Sequence, residues 1–351
     1  MSDRRLARAN HVLLYSFGGL SSSMIVPGTD NRSPSATVVI PNWNGVDHLP
    51  TCLDSLQSQT AQDIEVIVAD NGSTDGSLEL MGRRYPDVRV LPLGENRGFA
   101  GACNAGMRAS RGDFLVLLNN DTEVDPHWLE QVLAAFKRHP EAGMVASKML
   151  LFHRRDTLHT AGDFYRVDGL PGNRGVWERD EGQYDEEEYV FGACGGSAAY
   201  RRAMLERVGL LDEAFFYSCE DVDLAWRAQL AGWRCVYAPQ AVVHHKLSAT
   251  GGGTTASFYD GRNVIYVLVK DYPGDLWRRH WRAVLRRQLL LAVEALKAWR
   301  GAAARARLRG QLVGLLCGVP RMLPKRRSVQ RSRVVERSYL ERILTGIDER
   351  P

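Results

Sequence analysis

Short apolar runs alternate with longer amphipathic stretches through the first half of the chain. Consecutive Val, Ile and Leu residues are typical of strands buried on both faces of a parallel sheet. The stretches between them repeat their apolar residues at helical spacing, as Leu49, Cys52 and Leu56 do. Strands are therefore predicted at 37–40, 64–69, 88–91 and 114–118, and helices at 48–59, 76–84 and 98–109.

This alternation predicts an α/β fold with a mostly parallel sheet and helices on both of its faces. Pro41 is expected to stop the first strand, and Asp125 and Pro126 to open the next helix as its cap and first residue. The pattern becomes mixed after residue 144. There we predict strands at 196–201, 234–237 and 241–245, helices at 203–209 and 221–231, and a polar surface flap at 166–188.

Polar side chains follow three of the predicted strands at their carboxyl ends. These clusters are 41–44 (Pro-Asn-Trp-Asn), 70–73 (Asp-Asn-Gly-Ser) and 119–121 (Asn-Asn-Asp). Ligands of open parallel sheets bind beyond the carboxyl ends of the strands. We therefore expect the three clusters to meet at one ligand site.

Two of these clusters contain a carboxylate with two possible roles. Asp70 suits hydrogen bonding to a ribose or a base edge, but it could instead close an Asx-turn on its own backbone. Asp121 could hold a hard divalent cation beside substrate phosphates, or it could be a turn residue before the next helix.

Acidic and imidazole groups later in the chain add further candidates. Glu220, Asp221 and Asp223 fall at a predicted helix start, where acids commonly cap the helix but one could also act as a general base. His244 and His245 end a β-branched run before a glycine-rich segment. A histidine there is either structural or a ligand of metal or phosphate.

The charge is divided unevenly along the 351 residues. Residues 276–351 hold 19 Lys and Arg against 5 Asp and Glu, whereas the first 275 hold 26 against 36. Within this tail, residues 276–300 place Trp277, Trp281 and several leucines at helical spacing between arginines. Such a helix suits an anionic membrane surface, or alternatively packs on the main domain with its arginines in water. No recognition motif supports nucleic-acid binding.

The first 35 residues, the length of the apolar runs and the cysteines indicate where in the cell the protein is expected. Residues 1–35 are predicted to form a flexible leader, because polar residues break its apolar stretch and disfavour a signal peptide. No apolar run reaches the ~18–20 residues of a membrane-spanning helix. The six cysteines form no C-x-x-C pair, which disfavours a zinc site and fits reduced thiols in the cytoplasm.

The joint order of these motifs resembles glycosyltransferase family 2, and most closely its rhamnosyltransferase-like branch. The resemblance covers residues 36–272. The matching segments are 38–44 (VVIPNWN), 68–75 (VADNGSTD), 96–100 (NRGFA), 118–124 (LNNDTEV), 209–216 (GLLDEAFF), 220–224 (EDVDL) and 241–246 (AVVHHK).

The resemblance implies a role for each matching polar residue. Asp221 is the implied general base, with Glu220 beside it. Asp121, the second acid of the family's D-x-D motif, and His245 are the implied ligands of Mg²⁺ or Mn²⁺, while Asn119 replaces the first acid. The implied nucleotide-sugar-binding residues are Pro41, Asn42, Asn44, Asp70, Asn71, Arg97, Asn119 and Asn120.

The resemblance also implies the GT-A fold, which is Rossmann-like, over residues 36–272. A nucleotide-sugar half, 36–150, would precede an acceptor and catalytic half, 151–272, and a basic helical tail, 273–351, would follow. The implied reaction is inverting sugar transfer from a UDP- or dTDP-linked donor to a hydroxyl of a glycan or a lipid-linked acceptor. The scattered cysteines and the basic tail predict a cytoplasmic protein that is peripheral at the inner face of the cytoplasmic membrane.

Two alternatives compete with this interpretation. A processive polysaccharide synthase is disfavoured, since the chain has neither a predicted membrane span nor the Q-x-x-R-W motif. A non-catalytic sugar-nucleotide-binding or scaffold protein would keep the same fold. The intact Asp121, Asp221 and His245 argue against that second alternative.

Overall fold

The computed structural model describes residues 34–247, 253–347 and 349, so nearly all of the predicted leader lies outside the described residues. The strands are β1 (Ala36–Asn42), β2 (Ile64–Asp70), β3 (Arg89–Pro92), β4 (Phe114–Leu118), β5 (Thr122–Val124), β6 (Ala142–Leu151), β7 (Arg154–Ala161), β8 (Asp163–Tyr165), β9 (Pro171–Asn173), β10 (Glu188–Val190), β11 (Ser197–Arg201) and β12 (Arg234–His245). The helices are α1 (Leu49–Gln57), α2 (Ser77–Arg84), α3 (Gly98–Ala109), α4 (Trp128–Arg138), α5 (Arg202–Val208), α6 (Glu220–Leu230), α7 (Thr254–Lys270), α8 (Gly274–Lys297), α9 (Ala302–Val313), α10 (Val319–Arg331) and α11 (Arg337–Ile343), with a π-helical turn at Gly314–Gly318.

One large sheet organises the protein. Its strand order is β10-β12-β6-β11-β4-β1-β2-β3, with β5 paired to β12 and β7 to β6. The strands β1 to β4 are mutually parallel where they pair, and β12 is parallel to β6, whereas β11 runs antiparallel between β4 and β6. The predicted α/β fold with a mostly parallel sheet is confirmed, and β1, β2 and β4 end at the same edge.

The sheet is buried on both faces by two apolar cores. Val39 points into the core that contains α3 and α6, while Val38 and Ile40 point into the core that contains α1 and α4. Alternate residues of a strand face opposite sides, so a strand covered on both faces needs apolar residues at every position. This requirement explains the uninterrupted apolar runs in the sequence.

Three local predictions are corrected by the structure. Strand β1 continues through Pro41 to Asn42, because its pairing with β4 ends at Val39 and leaves Pro41 beside β2 alone. The two predicted strands at 234–237 and 241–245 are one strand, β12, with an irregularity in its register against β6 between Ala238 and Val242.

The third correction concerns the start of α4. The Asp125 carboxylate accepts the His127 backbone N–H at 3.0 Å, and the Trp128 N–H is donated to the Asp125 carbonyl at 2.9 Å. Asp125 and Pro126 therefore form a turn, and the helix begins three residues after Asp125, at Trp128.

The segment predicted as a polar surface flap is anchored at several points. Strands β8 and β9 form a hairpin, and β10 joins the edge of the large sheet. Asp168 and Arg174 are buried, and Asp168 accepts a hydrogen bond from Arg287 of α8 at 2.8 Å. The first part of the segment is therefore fixed to the domain rather than a flap, whereas most of residues 176–187 are exposed as predicted for a surface excursion.

The C-terminal helices pack against one another and on the sheet domain. The predicted basic helix is confirmed as α8, whose Leu276 and Val284 are buried. Lys325 of α10 forms an ion pair with Asp212 at 2.5 Å. Within the described residues, no helix combines the length and apolar character needed to cross a membrane.

Candidate active site

A cavity of about 800 Å³ opens at the sheet edge where β1, β2 and β4 end. The start of α6, the end of β12 and the middle of α7 complete its walls. Nine of the predicted site residues line it, namely Pro41, Asn42, Asn71, Asn119, Asn120, Asp121, Glu220, Asp221 and His245. Asn44, Asp70 and Arg97 do not line it.

Amide side chains build one end of the cavity. The Asn120 side-chain amide donates to the Asn42 carbonyl oxygen at 2.7 Å, and the Asn42 amide donates to Asp70 at 3.0 Å. The Asn71 amide donates to the Gly98 carbonyl at 3.1 Å. The first two bonds link the ends of β4, β1 and β2, and the third links the end of β2 to the start of α3, so that these residues form one polar wall.

Asp70 does not line the cavity but accepts the hydrogen bond that holds Asn42 in this wall. Its side chain is buried, and its second carboxylate oxygen accepts the Ser73 N–H, three residues further along the chain, at 3.0 Å. Because Asp70 also accepts the Asn42 amide, it does more than close an Asx-turn on its own backbone. Asn44 accepts the Thr74 N–H at 2.8 Å, while Arg97 pairs with Glu95 at 3.3 Å.

Asp121 and His245 are in contact in the wall of the cavity. Pairing of Thr122 with His245 between β5 and β12 brings them together from distant parts of the chain. His245 Nε2 lies 3.0 Å from Asp121 Oδ1 and 3.3 Å from the Asn119 amide nitrogen. Burial opposes ionisation of Asp121, but the hydrogen bond and charge of His245 outweigh it and lower the pKa of Asp121.

This pair fits a small divalent cation. Octahedral Mg²⁺ binds oxygen ligands at about 2.0–2.1 Å, so two adjacent ligands of one ion lie about 3 Å apart. The observed Asp121 to His245 distance of 3.0 Å matches that separation. One carboxylate and one imidazole leave the other positions of such an ion to water and substrate phosphates.

A second histidine, His159, contacts the His245 ring on the side away from Asp121. His159 Nδ1 lies 3.2 Å from His245 Nδ1. Burial and the charge of His245 lower the pKa of His159 to about 3. His159 is therefore neutral near pH 7, and the contact orients the His245 ring with its Nε2 toward Asp121.

A tight turn presents the acids of α6 to the cavity. Phe216, Ser218 and Cys219 all have positive φ values, of 65°, 69° and 64°, immediately before the helix. Non-glycine residues adopt this conformation rarely and at a cost in free energy, and such strain concentrates at functional sites.

Asp221 is held by backbone donors from two sides. Its two carboxylate oxygens accept the Gly195 and Val222 N–H groups, each at 2.8 Å. Burial raises the pKa of Asp221, although these N–H groups favour its ionised form. Burial and the neighbouring Asp221 also raise the pKa of Glu220 well above its usual range. The two acids therefore differ in their surroundings, because backbone N–H groups favour the ionised form of Asp221 while the charge of Asp221 disfavours ionisation of Glu220.

A buried network of ion pairs connects α6 to α7 and α10. Asp223 is fully buried and pairs with Lys270 of α7 and, at 2.8 Å, with Arg227. Lys270 also contacts Asp212 at 2.7 Å, and the same carboxylate receives Lys325. Buried charges are tolerated only when paired, so this network fixes α6 relative to α7 and α10.

Comparisons with known proteins agree with this geometry. The family model for glycosyl transferase family 2 matches residues 37–209. An N-acetylglucosaminyl-diphospho-decaprenol L-rhamnosyltransferase of Mycobacterium tuberculosis is 32% identical over 276 residues, covering 72% of this chain and 90% of that protein. The chain belongs to glycosyltransferase family 2. The O-antigen biosynthesis protein RfbC of Myxococcus xanthus is 30% identical over 229 residues, 61% of this glycosyltransferase but 17% of RfbC.

Solved structures share the fold of this glycosyltransferase. The mannosyltransferase PcManGT from Pyrobaculum calidifontis, in complex with GDP-Man and Mn²⁺, has a TM-score of 0.50 at 18% identity and covers 86% of either chain. GalNAc-T7 with UDP, GalNAc and Mn²⁺ has a TM-score of 0.56 at 17% identity over 72% of this chain and 52% of its own. At these identities the likeness shows the GT-A fold alone.

Sequence reasoning missed several polar residues of the glycosyltransferase cavity. The missed Asp163 and Cys194 each offer one ligand atom within 4.8 Å of a carboxylate oxygen of Asp221, which the sequence did predict. Asp260 of α7 accepts the Ser218 hydroxyl at 2.5 Å, and Arg307 of α9 also lines the cavity. No local motif marks these positions, because the folding of the second half and tail alone brings them to the sheet edge.

Proposed function

We propose that this protein is an inverting glycosyltransferase that moves a sugar from a nucleotide-diphosphate donor to a hydroxyl of a glycan or lipid-linked acceptor. The observation that carries the proposal is that the Asp121–His245 pair and the Asp221 carboxylate line one cavity. The Asp121–His245 pair is suited to bind the leaving diphosphate, through a metal ion. The Asp221 carboxylate is suited to accept the proton of the attacking hydroxyl. The proposed class of donor is a UDP- or dTDP-linked sugar.

The donor is proposed to lie along the ends of β1, β2 and β4. Asn42, Asn71 and Asn120 line the cavity there, and their hydrogen bonds to neighbouring groups fix them as a polar wall for the nucleotide. Asp121 and His245 would hold a divalent cation, Mg²⁺ or Mn²⁺, and the complexes of PcManGT and GalNAc-T7 with Mn²⁺ support a metal of this class. When bound, such an ion neutralises charge that develops on a diphosphate leaving group.

The Asp221 carboxylate is proposed to accept the proton of the acceptor hydroxyl. The hydroxyl oxygen then forms a bond to the anomeric carbon as the bond from that carbon to the diphosphate oxygen breaks. Attack from the face opposite the diphosphate inverts the anomeric configuration in one displacement. The N–H groups of Gly195 and Val222 keep the carboxylate oriented and favour its ionised form.

The proposed function is tested by product formation from a panel of nucleotide sugars. The full chain should transfer one radiolabelled sugar from a UDP- or dTDP-linked donor to a lipid-linked sugar in the presence of Mg²⁺ or Mn²⁺. NMR of the product should show the anomeric configuration opposite to that of the donor. A retained configuration would exclude the single displacement, and donor binding without any product would favour the non-catalytic alternative.

A membrane surface is proposed as a further partner, through the exposed face of α8. Trp277, Trp281, Leu285 and Leu289 follow one another at four-residue spacing and are 39–65% exposed. The adjacent stripe of exposed arginines, Arg278, Arg282 and Arg286, suits anionic headgroups at the inner face of the cytoplasmic membrane.

Substitution of the four apolar residues by serine is expected to weaken binding to anionic vesicles by at least about tenfold, because each loses apolar area that would enter the interface. Vesicle co-sedimentation measures this, with exposed Trp177, far along the chain from α8, replaced by serine as the control. Binding of the wild-type chain should also weaken with salt. Unchanged sedimentation of the α8 variant would contradict the proposal.

A further inference from the structure

The C-terminal tail contributes a cationic side chain to the catalytic cavity. Arg307 of α9 lines the cavity beside Tyr259 and Asp260 of α7. Its Nε is buried without a hydrogen-bond partner. In the part of the chain that the structure describes, its guanidinium forms no close ion pair, although its charge acts on neighbouring Asp260 and partly offsets the burial that raises the pKa of that carboxyl. An unpaired buried donor lowers stability, so its retention at a ligand cavity points to a group that arrives from outside.

Close helix packing fixes the position of this arginine. A Cβ on Gly261 of α7 would lie 2.3 Å from the Arg307 carbonyl oxygen, and one on Gly310 of α9 would lie 2.0 Å from the Phe258 carbonyl oxygen. Glycine at both positions lets the two backbones touch. Arg307 is consequently held against α7 at one height along the cavity wall.

Arg307 lies on the side of the cavity that holds the general base. Its neighbour Asp260 accepts the Ser218 hydroxyl, and Ser218 belongs to the turn that precedes Glu220 and Asp221. The diphosphate of the donor is assigned to Asp121 and His245 at the ends of other elements. The arginine is therefore placed for the second substrate.

The contact between α9 and α8 indicates the side from which the acceptor would enter the cavity. Gln311 of α9 donates to the Gln288 carbonyl of α8 at 3.3 Å, so the two helices are in contact. The exposed apolar face of α8 is the surface proposed to lie on the membrane. If α8 lies on the membrane, the lipid of a lipid-linked acceptor stays in the membrane beside α8. The phosphate attached to that lipid would then lie next to α9.

We propose that Arg307 binds a phosphate group of a lipid diphosphate acceptor and so positions the acceptor sugar at Asp221. This inference rests on the proposed function and names the class of acceptor. The planar guanidinium offers two parallel N–H donors that match phosphate oxygens. The Mycobacterium tuberculosis relative, named for an N-acetylglucosaminyl-diphospho-decaprenol acceptor, is consistent with this chemistry.

The test compares two synthetic acceptors that carry the same sugar, dodecyl diphospho-N-acetylglucosamine and the neutral dodecyl N-acetylglucosaminide. Arg307→Gln should raise KM for the diphosphate acceptor by at least about tenfold, since a charge-assisted hydrogen bond is lost. KM for the neutral acceptor and for the donor should stay within about twofold. Arg307→Lys should recover part of the loss, since it retains the charge.

Arg309→Gln is the matched control, because Arg309 is an exposed arginine of the same helix that does not line the cavity. It should leave both acceptors within about twofold of wild type. An equal rise in KM for both acceptors with Arg307→Gln would overturn the proposal in favour of a structural role. A rise in donor KM would assign the arginine to the donor diphosphate and overturn it as well.

Calorimetric titration with the dodecyl diphosphate sugar, without donor, separates this inference from the proposed function. Arg307→Gln should weaken that binding by at least about tenfold whether or not turnover occurs. A wild-type chain that binds the diphosphate sugar but transfers nothing would contradict the proposed function and leave the Arg307 result intact. Equal affinity of wild type and variant would overturn the Arg307 assignment alone.

Discussion

Asp221→Asn is expected to lower the turnover number about 10³-fold, because an amide cannot accept the proton of the acceptor hydroxyl. Donor binding should persist, since the amide-lined nucleotide end of the cavity is untouched. Initial rates with saturating donor measure the first effect, and calorimetry with the free nucleoside diphosphate measures the second.

A matched control separates catalysis from folding. Asp87→Asn makes the same chemical change at an exposed turn before β3 and should leave turnover and thermal unfolding unchanged. The thermal unfolding of Asp221→Asn must also be measured, because the new amide can accept only one of the two N–H groups that the carboxylate accepts now. Near-normal turnover of a folded Asp221→Asn protein would remove Asp221 from the role of base.

The pH profile provides an independent readout of the same assignment. The base must be ionised to act, so kcat/KM should fall as the pH drops through the pKa of Asp221. Burial raises that pKa, and the acidic limb should therefore lie above the usual value for aspartate of about 3.9. An acidic limb at or below that value would contradict the assignment.

Asp121→Asn is expected to lower metal-dependent turnover about 10³-fold and to weaken Mn²⁺ binding, because a neutral amide replaces the only carboxylate at the Asp121–His245 pair. Electron paramagnetic resonance of free Mn²⁺ measures the binding without reference to activity.

Asn119→Asp offers the opposite change at the same site. The Asn119 side chain already lies 3.3 Å from His245 Nε2, so a carboxylate there would add a second anionic ligand and should tighten Mn²⁺ binding. Activity of the wild-type chain that survives EDTA, together with unchanged Mn²⁺ affinity in Asp121→Asn, would exclude the metal role of Asp121.

The local elements of the first half follow directly from the sequence. The helix at 98–109 and the strand at 114–118 have the predicted bounds in the structure, because their apolar periodicity and their flanking turn residues agree. Errors arose where one residue was taken to mark the boundary of an element that its hydrogen bonds place elsewhere. Pro41 stays within β1 because β4 no longer flanks it, and Asp125 closes a turn before a helix that begins later.

The candidate site was predictable only in part, for a comparable reason. Asp121, Asp221 and His245 carry strong chemistry in recognisable motifs, and all three line the cavity. Asp70 belongs to an equally clear motif, yet its carboxylate is used to hold Asn42 and Ser73. A motif indicates that a residue matters, whereas its hydrogen-bond partners decide whether it faces the ligand or supports a residue that does.

The sequence by itself determined the α/β class, the family resemblance and the division into an acidic body and a basic tail, since each depends on residue order and composition alone. The tertiary structure decided which charged side chains of that tail are exposed to water and which line the cavity of the candidate active site. Arg282 stays exposed on α8, while Arg307 reaches the cavity because Gly261 and Gly310 let α9 press against α7. Contact between distant helices depends on which positions have room for a backbone to approach, and no local pattern in the chain records that.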